Sequence, residues 1–431
     1  MQITVVGMGK IGLPLAVQYA RKGHDVFGSD INPQTVDLIN LGLEPFPGEA
    51  HLADYLSEVV KAGKLEATLD TRSAVSNSDV VVIVVPLFVD SDAIPEFSAM
   101  DLATKSVAEG LQPGTLVSYE TTLPVGTTRN RLVPLLESVS GLTAGSDFQV
   151  VFSPERVLTG RVFADLRRYP KLVGGIDSES EKRGADFYSE VLDFDERPDL
   201  ARPNGVWSLG SAEAAELAKL AEITYRDVNI ALANQFANFA ERSGIDFPAV
   251  AEACNSQPYS HIHNAGIAVG GHCIPVYPRL YLWNDPSATV VHAARAANAG
   301  MPEVVVARVE SEFGSLNGKK VAILGAAYRG GVKETAFSGV FAIVDALLAR
   351  GAQVVVHDPL YSDSELTELG FVPHQKGESA DLLILQADHE EYKDWNSEDS
   401  PGVRLVMDGR GISSPQQWGD GVKFLSIGRP S

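Results

Sequence analysis

The stretch ITVVGMGKIGLPLAVQYAR, residues 3–21, decides the fold of the first part of the chain. Ile3-Thr4-Val5-Val6 is a strand-like run, Gly7-Met8-Gly9-Lys10-Ile11-Gly12 follows at once, and Leu13 to Arg21 carries apolar residues at helical spacing. Gly23 to Asp30 (GHDVFGSD) then reads as a turn and a second strand ending in an acid. Strand, glycine turn, helix and terminal acid in register make a complete βαβ dinucleotide fingerprint. The first glycine permits the tight turn, the second lets a pyrophosphate approach the backbone, and the third allows close helix packing. Asp30 would accept hydrogen bonds from the adenosine ribose hydroxyls and repel a 2′-phosphate, which favours NAD over NADP. Gly7, Gly9 and Gly12, the loop residues Lys10 and Ile11, and Asp30 are therefore the candidate cofactor contacts.

Outward from this unit, Val80–Pro86, Leu116–Tyr119 and Val150–Phe152 continue an alternating strand and helix pattern to about residue 200. From Ser211 to Arg242 the chain has no Gly or Pro and keeps helical spacing for about eight turns. A helix of that length suits a link between domains or an oligomer interface. A Gly- and Pro-punctuated region, 255–286, comes next. Near residue 317 the chain starts again: Lys320 to Gly325 echoes the first strand and turn, and Gly351 to Asp358 echoes Gly23 to Asp30. The turn Gly325-Ala326-Ala327-Tyr328-Arg329-Gly330-Gly331 lacks the GxGxxG spacing, so a ligand other than a second NAD is expected there. The fold expected is α/β: two Rossmann-like domains joined by a long central helix and a small helical domain. The boundaries are 1–200 for the NAD domain, 201–310 for the helical linker and dimerisation domain, and 311–431 for the second Rossmann-like domain.

The 431 residues are too many for a single core. A formal charge of −21, from 35 basic against 56 acidic residues, argues against nucleic acid and anionic membrane surfaces as partners. The longest strongly apolar run, Val80 to Val89, is too short to span a bilayer and resembles a buried parallel strand. The N-terminus lacks the pattern of a secretory signal, and two cysteines make no disulfide framework, so a cytoplasmic setting is expected.

The second cysteine lies in GGHCIPVYP, residues 270–278. A cysteine among apolar residues is more often packed than reactive. Glycines beside it shift the reading towards an accessible nucleophile, since they leave the sulfur uncovered. His272 could polarise the thiol. A zinc site is weakly supported, because His261, His263 and His272 are near Cys273 in sequence but no second cysteine is paired with it. No metal is expected.

Seven ordered motifs carry a resemblance: GMGKIG at 7–12, ETTLPVGTT at 120–128, FSPERV at 152–157, ELAKLAEITYRDVNIALAN at 216–234, GGHCIPV at 270–276, LGAAYRGGVKET at 324–335 and MDGRG at 407–411. Over nearly its whole length the chain resembles the UDP-sugar 6-dehydrogenase family, especially the branch acting on UDP-N-acetylhexosamines. The resemblance implies a four-electron oxidation of the sugar C6 alcohol to a uronate, with NAD reduced twice and a thiohemiacetal and thioester formed on Cys273. It implies that Lys219 stabilises the oxyanion, that Glu155 is the general base for thioester hydrolysis, and that Thr122 orients water and contacts the cofactor; His272, beside the thiol, is the further catalytic candidate. Pro86 is placed near the nicotinamide. Arg329 and Arg410 match basic positions near the nucleotide sugar, with Arg329 also among the cofactor contacts. Substrate contacts are expected from Glu155, Arg156, Lys219, Arg226, His261, His263, Gly270, Tyr277 and Arg410. A homodimer through the long helix is the expected assembly.

The chain departs from the family pattern close to the chemistry. Ile223 stands where an asparagine is expected one turn after Lys219, Tyr277 where an aspartate is expected after the nucleophile, and Ala336 where an arginine is expected. Between Arg242 and Arg279 there is no Lys or Arg, so the family's substrate arginine in that region is missing, with His261, His263 and Asn264 as candidate replacements. The alternative is a two-electron NAD dehydrogenase that stops at the aldehyde or acts on a non-nucleotide hydroxy acid.

Overall fold

Two sheets organise the protein, each in its own compact unit: Met1–Glu222 and Ile223–Ser431. The computed structural model describes residues 1–90 and 93–430.

In the first unit, β1 (Gln2–Val6), β2 (Asp25–Ser29), β3 (Leu65–Thr68) and β4 (Val80–Ile83) form one half of the main sheet. A short antiparallel pair, β5 (Phe88–Val89) with β6 (Pro95–Glu96), stands apart from it. The other half comprises β7 (Leu116–Tyr119), β8 (Gln149–Phe152), β9 (Lys171–Gly175) and β10 (Val206–Ser208), giving the order β10-β9-β8-β7-β4-β1-β2-β3. Every pair in this sheet is parallel except β8 with β9. The order reverses at β1, between β2 and β4, the switch point at which doubly wound sheets bind ligands beyond the carboxyl ends of their strands. The apolar run starting at Val80 leaves the sheet sooner than its composition suggests. Only Val80–Ile83 is strand, the Val84 amide extends the ladder to Val6 O at 2.8 Å, and Pro86, with no N–H to donate, is exposed.

The helix Gly12–Arg21 buries Leu13, Leu15, Ala16, Val17 and Tyr19 on the sheet, where they join Ile3, Val5, Val82 and Phe187 in one core. Gly12 is what lets that helix sit so close. A Cβ placed there would lie 1.9 Å from Gly7 O, and one on Gly7, whose φ is +93°, would meet the Val84 backbone at 3.1 Å.

The helix Ala212–Arg242 starts one residue later than the Gly- and Pro-free stretch suggests and ends where it does. It passes from the first unit into the second. Helices Phe247–Asn255, Tyr277–Asn284 and Thr289–Phe313 complete the helical region.

The second sheet contains β11 (Lys320–Leu324), β12 (Gln353–His357), β13 (Leu382–Leu385), β14 (Leu405–Asp408) and β15 (Lys423–Ser426), all parallel, in the order β12-β11-β13-β14-β15. The second Rossmann-like fold is thus present. Its first turn is occupied by its own chain: Asp358 Oδ2 accepts from the Ala326 and Ala327 amides at 2.8 and 2.9 Å. The first unit has the same kind of bond, from the Met8 amide to Asp30 Oδ2 at 2.8 Å, so the two turns share this tie between the first loop and the acid that ends the second strand.

Gly12→Ala, a small-to-large change against backbone, should destabilise the first unit by about 2 kcal/mol. Thermal unfolding should show the loss as a Tm fall of roughly 4–8 °C. An unchanged Tm would contradict the close contact with Gly7 O.

Candidate functional site

The carboxyl edge of the first sheet gathers the ionisable groups. Glu120 follows directly on β7 and Glu155 lies three residues beyond β8. Because β9 runs antiparallel to β8, with Phe152 opposite Gly174, extending that register brings Lys171 opposite Glu155. The Lys171 ammonium donates to Glu120 Oε2 at 2.6 Å and to Glu155 Oε2 at 2.9 Å. Glu120 is buried, and its Oε1 accepts from Tyr188 Oη at 2.7 Å and Tyr19 Oη at 3.3 Å. Glu155 keeps 11% of its side-chain surface, and its Oε1 accepts from the Arg156 amide at 2.7 Å.

Burial pushes the Glu120 carboxyl up, and this outweighs the downward pull of Lys171. Burial pushes Glu155 up as well, but Lys171 and the Arg156 amide prevail and its net shift is downward. For Lys171, burial favours the neutral amine, while the two carboxylates outweigh it and raise the pKa.

Two further predicted residues of this unit, Thr122 and Arg156, are close in sequence to these carboxylates. Thr122 is buried two residues after Glu120. Arg156 forms a forked pair with Glu222, Nε and Nη2 each 3.0 Å from a carboxylate oxygen. Lys219 is 6% exposed, which excludes the solvated face that a lysine on a helix usually occupies. One turn earlier on its helix, buried Glu216 accepts from the Gly126 and Thr128 amides at 2.6 and 2.9 Å and from Thr128 Oγ1 at 2.7 Å. Glu216 thereby anchors the LPVGTT segment that follows Thr122. Desolvation pushes its carboxyl up to about 7 against those three donors.

In the second unit Cys273 is exposed, so its thiol is accessible and does not serve as core packing. A Cβ on Gly270 would lie 2.6 Å from Tyr328 Cβ, and one on Gly271, with φ +88°, would meet the Tyr328 ring at 3.1–3.4 Å. The paired glycines are what let this loop pass over Tyr328. The Gly271 amide donates to Ala336 O at 2.9 Å, so the Ala336 backbone holds the cysteine loop. Cys273 O accepts from the Tyr277 amide at 2.8 Å, which ties the loop to the helix that Tyr277 opens. His272 Nε2 is 3.6 Å from Glu334 Oε2.

From behind, Arg295 donates to Pro275 O at 3.4 Å and makes a forked pair with buried Asp227. Asn298 donates to Asp227 Oδ1 at 2.8 Å and accepts from Asn234, whose own Oδ1 receives the Gly266 amide at 2.9 Å. Both ends of the segment 266–275 are thus held by one buried polar network.

Arg410 spends three of its donors on backbone carbonyls: Gln386 O, Tyr328 O at 3.0 Å and Ala268 O at 3.5 Å. It braces the Tyr328 turn under the cysteine loop. Arg329 reaches Tyr328 Oη at 3.2 Å, and Arg226 is exposed. His261 is exposed, and His263 Nδ1 lies 2.9 Å from Asn264 O. Among the described residues no group of three or more His, Cys, Asp or Glu is arranged to hold a metal ion.

Three family models cover the chain in order. They are the NAD-binding domain of the UDP-glucose/GDP-mannose dehydrogenase family over residues 1–192, its central domain over 213–299 and its UDP-binding domain over 322–415. The chain belongs to this family. It is an NAD-dependent UDP-sugar dehydrogenase, and its relatives match it from end to end. The UDP-N-acetyl-D-mannosamine dehydrogenase of Pyrococcus horikoshii is 34% identical across all of this chain and 99% of its own length. That of Methanocaldococcus jannaschii is 31% identical across 99% and 96%. Among solved structures, the Pyrococcus horikoshii UDP-D-ManNAc dehydrogenase superposes with a TM-score of 0.87 at 32% identity, covering 100% of this chain and 99% of that one. The Staphylococcus aureus UDP-N-acetyl-mannosamine dehydrogenase gives 0.84 at 30%, covering 100% and 99%.

The first turn of the dehydrogenase fits NAD. Nothing lies within 4 Å of a Cβ built on Gly9, so the loop is open where a pyrophosphate would approach, while Gly7 and Gly12 are closed in by backbone. Asp30 Oδ2 accepts from the Met8 amide at 2.8 Å and Oδ1 from Asn32 at 2.9 Å. Each carboxylate oxygen keeps a lone pair for a ribose hydroxyl.

Reading the sequence missed Glu120, Lys171, Glu216, Asp227 and Arg295. Glu120 had a signal, an acid immediately after a buried strand at the carboxyl edge. Lys171 had none, since a lysine opening a strand usually reads as solvated.

Asp30→Ala removes a charge-assisted acceptor for the ribose and for the Met8 amide. NAD affinity should fall roughly tenfold or more by titration calorimetry, with weaker discrimination against NADP. Unchanged affinity and preference would remove Asp30 from the cofactor site.

Proposed function

We propose that this dehydrogenase oxidises the C6 alcohol of a UDP-N-acetylhexosamine to the uronate, removing four electrons, with Cys273 as covalent anchor. The observation that carries the reading is an exposed thiol in a loop fixed by Gly270, Gly271 and Arg295, in a chain similar end to end to UDP-N-acetyl-D-mannosamine dehydrogenases. UDP-N-acetyl-D-mannosamine is accordingly the first substrate to test. The functional division we propose is residues 1–200 for NAD, 201–310 for the helical linker and 311–431 for the nucleotide sugar. A homodimer through the long helix agrees with the exposed Tyr225, Leu232, Phe236 and Phe239 on it. No described helix is long and apolar enough to cross a membrane, and two free cysteines suit a reducing cytoplasm.

NAD, when bound, supplies the hydride acceptor for both oxidations. In the first, C6 loses a hydride and its hydroxyl a proton, leaving an aldehyde. Cys273 sulfur then bonds to the aldehyde carbon, and the carbonyl oxygen takes a proton to give a thiohemiacetal. Loss of a second hydride from C6 and of the hydroxyl proton leaves a thioester. Water adds to the acyl carbon, the carbon–sulfur bond breaks, and the uronate leaves with Cys273 restored. Lys219 is the buried cation for the oxyanion at C6. Glu155 takes the proton from the attacking water, and Thr122 orients that water. His272, beside Glu334, stands next to the thiol in sequence and can assist its deprotonation. Pro86 and Arg329 complete the proposed cofactor contacts. Arg156, Arg226, His261, His263, Gly270, Tyr277 and Arg410 remain our candidates for the nucleotide sugar, with Arg410 acting through the Tyr328 backbone.

A second reading, in which the reaction stops at the aldehyde, draws on Ile223 and Tyr277 at positions where the family has polar side chains. The hydroxy-acid alternative gives no role to the UDP-binding domain over 322–415.

Cys273→Ala should lower uronate output from UDP-N-acetyl-D-mannosamine by at least about a thousandfold, with NAD binding unchanged. Product mass spectrometry decides the matter, and normal uronate output from the variant would sink the covalent mechanism.

A further inference from the structure

Two carboxylates and one ammonium, with Glu120 and Lys171 buried and Glu155 only partly exposed, occupy the carboxyl edge of the first sheet. With both acids ionised the cluster holds one uncompensated negative charge in a medium that solvates it poorly; one added proton makes it neutral. Such a pair titrates as a unit, and its affinity for the first proton belongs to neither acid alone. We propose that the base in thioester hydrolysis is the whole Glu120–Lys171–Glu155 cluster, in which Glu155 receives the proton of the attacking water and Glu120 stores it. Glu120 and Lys171 are positioning residues acting through Glu155, and the inference rests on the assignment of Glu155 as base made above.

Access and hydrogen bonding assign the division of labour. Glu120 is fully buried and Glu155 is the carboxyl with residual exposure. A cavity of about 10 Å3, at the threshold for one water, is lined by Glu155, Arg156, Asp165, Tyr169 and Lys171. The two carboxyls accept from one ammonium, that of Lys171, at 2.6 and 2.9 Å. Lys171 bridges them, so it can pass one ammonium proton to Glu120 as it takes one from Glu155. The groups facing the cluster are Tyr19 from helix Gly12–Arg21, Tyr188 from helix Ser178–Val191, Asp165 from helix Val162–Arg168, Tyr169 directly after that helix, and Arg156, whose guanidinium is paired with Glu222. Asp165 is committed to Arg161 and the Leu158 amide, and Tyr19 and Tyr188 stabilise the ionised form of Glu120. In the step itself, a carbon–oxygen bond forms at the acyl carbon, one water proton enters the cluster, and the carbon–sulfur bond breaks with the electron pair leaving on Cys273 sulfur. The stored proton returns to solvent or to that thiolate.

The sign of the pH effect follows. Removing the charge of Glu120 leaves Glu155 facing Lys171 alone, which makes it a weaker base that loses its proton at lower pH. Removing the Tyr188 hydroxyl withdraws a donor to ionised Glu120 and makes the cluster a stronger base. The test is the decay of acyl-enzyme at Cys273, followed by intact mass in single turnover with UDP-N-acetyl-D-mannosamine and NAD across pH.

Glu120→Gln should slow acyl-enzyme decay about tenfold or more and move its acidic limb to lower pH, with KM unchanged. Tyr188→Phe should move the limb to higher pH, and this variant decides the question if Glu120→Gln does not fold. Limbs unmoved in the folded variants, alongside slowed decay in Glu155→Gln, would overturn the storage role while keeping Glu155 as base. Undiminished decay in Glu155→Gln would overturn both.

Discussion

A buried ammonium is tolerated only where anionic partners surround it, and Lys171 meets that condition at the end of three adjacent strands. Its two carboxylates belong to the exits of β7 and β8, and Lys171 itself opens β9. The antiparallel pairing of β9 with β8 is what brings the beginning of β9 to the edge at which β7 and β8 end. Charge pairing therefore ties the segments carrying Thr122 and Glu155 to one another, and it sets their ionisation along with their position.

The second unit solves a different problem, that of holding a reactive thiol in the open. Gly270 and Gly271 let the loop lie against Tyr328, and Arg410 fixes the Tyr328 carbonyl from below. Asp227 neutralises Arg295, which leaves the arginine free to reach Pro275 O. Cys273 is exposed while the backbone on either side of it is committed to hydrogen bonds. Exposure and order coexist because the restraint falls on main-chain groups and leaves the sulfur alone.

Much of this was legible in the sequence because local rules and tertiary structure agree. The GMGKIG turn, the acid at Asp30 and the Gly- and Pro-free stretch ending at Arg242 each specify an element through steric or periodic demands. Cys273 stood out through its glycines. Lys171 did not, because its role depends on an antiparallel strand pairing that no local pattern announces. Asp227 and Arg295, 68 residues apart, likewise meet only in the folded chain. Ala336 looked like a lost contact, yet its carbonyl binds the Gly271 amide, a function carried by backbone and invisible in residue identity.

The central claim is that one site performs two oxidations on one carbon while Cys273 retains the sugar. The most direct measurement is NADH formed per UDP-N-acetyl-D-mannosamine consumed, by absorbance with product mass. The account predicts two NADH and a uronate. One NADH with an aldehyde product would contradict it.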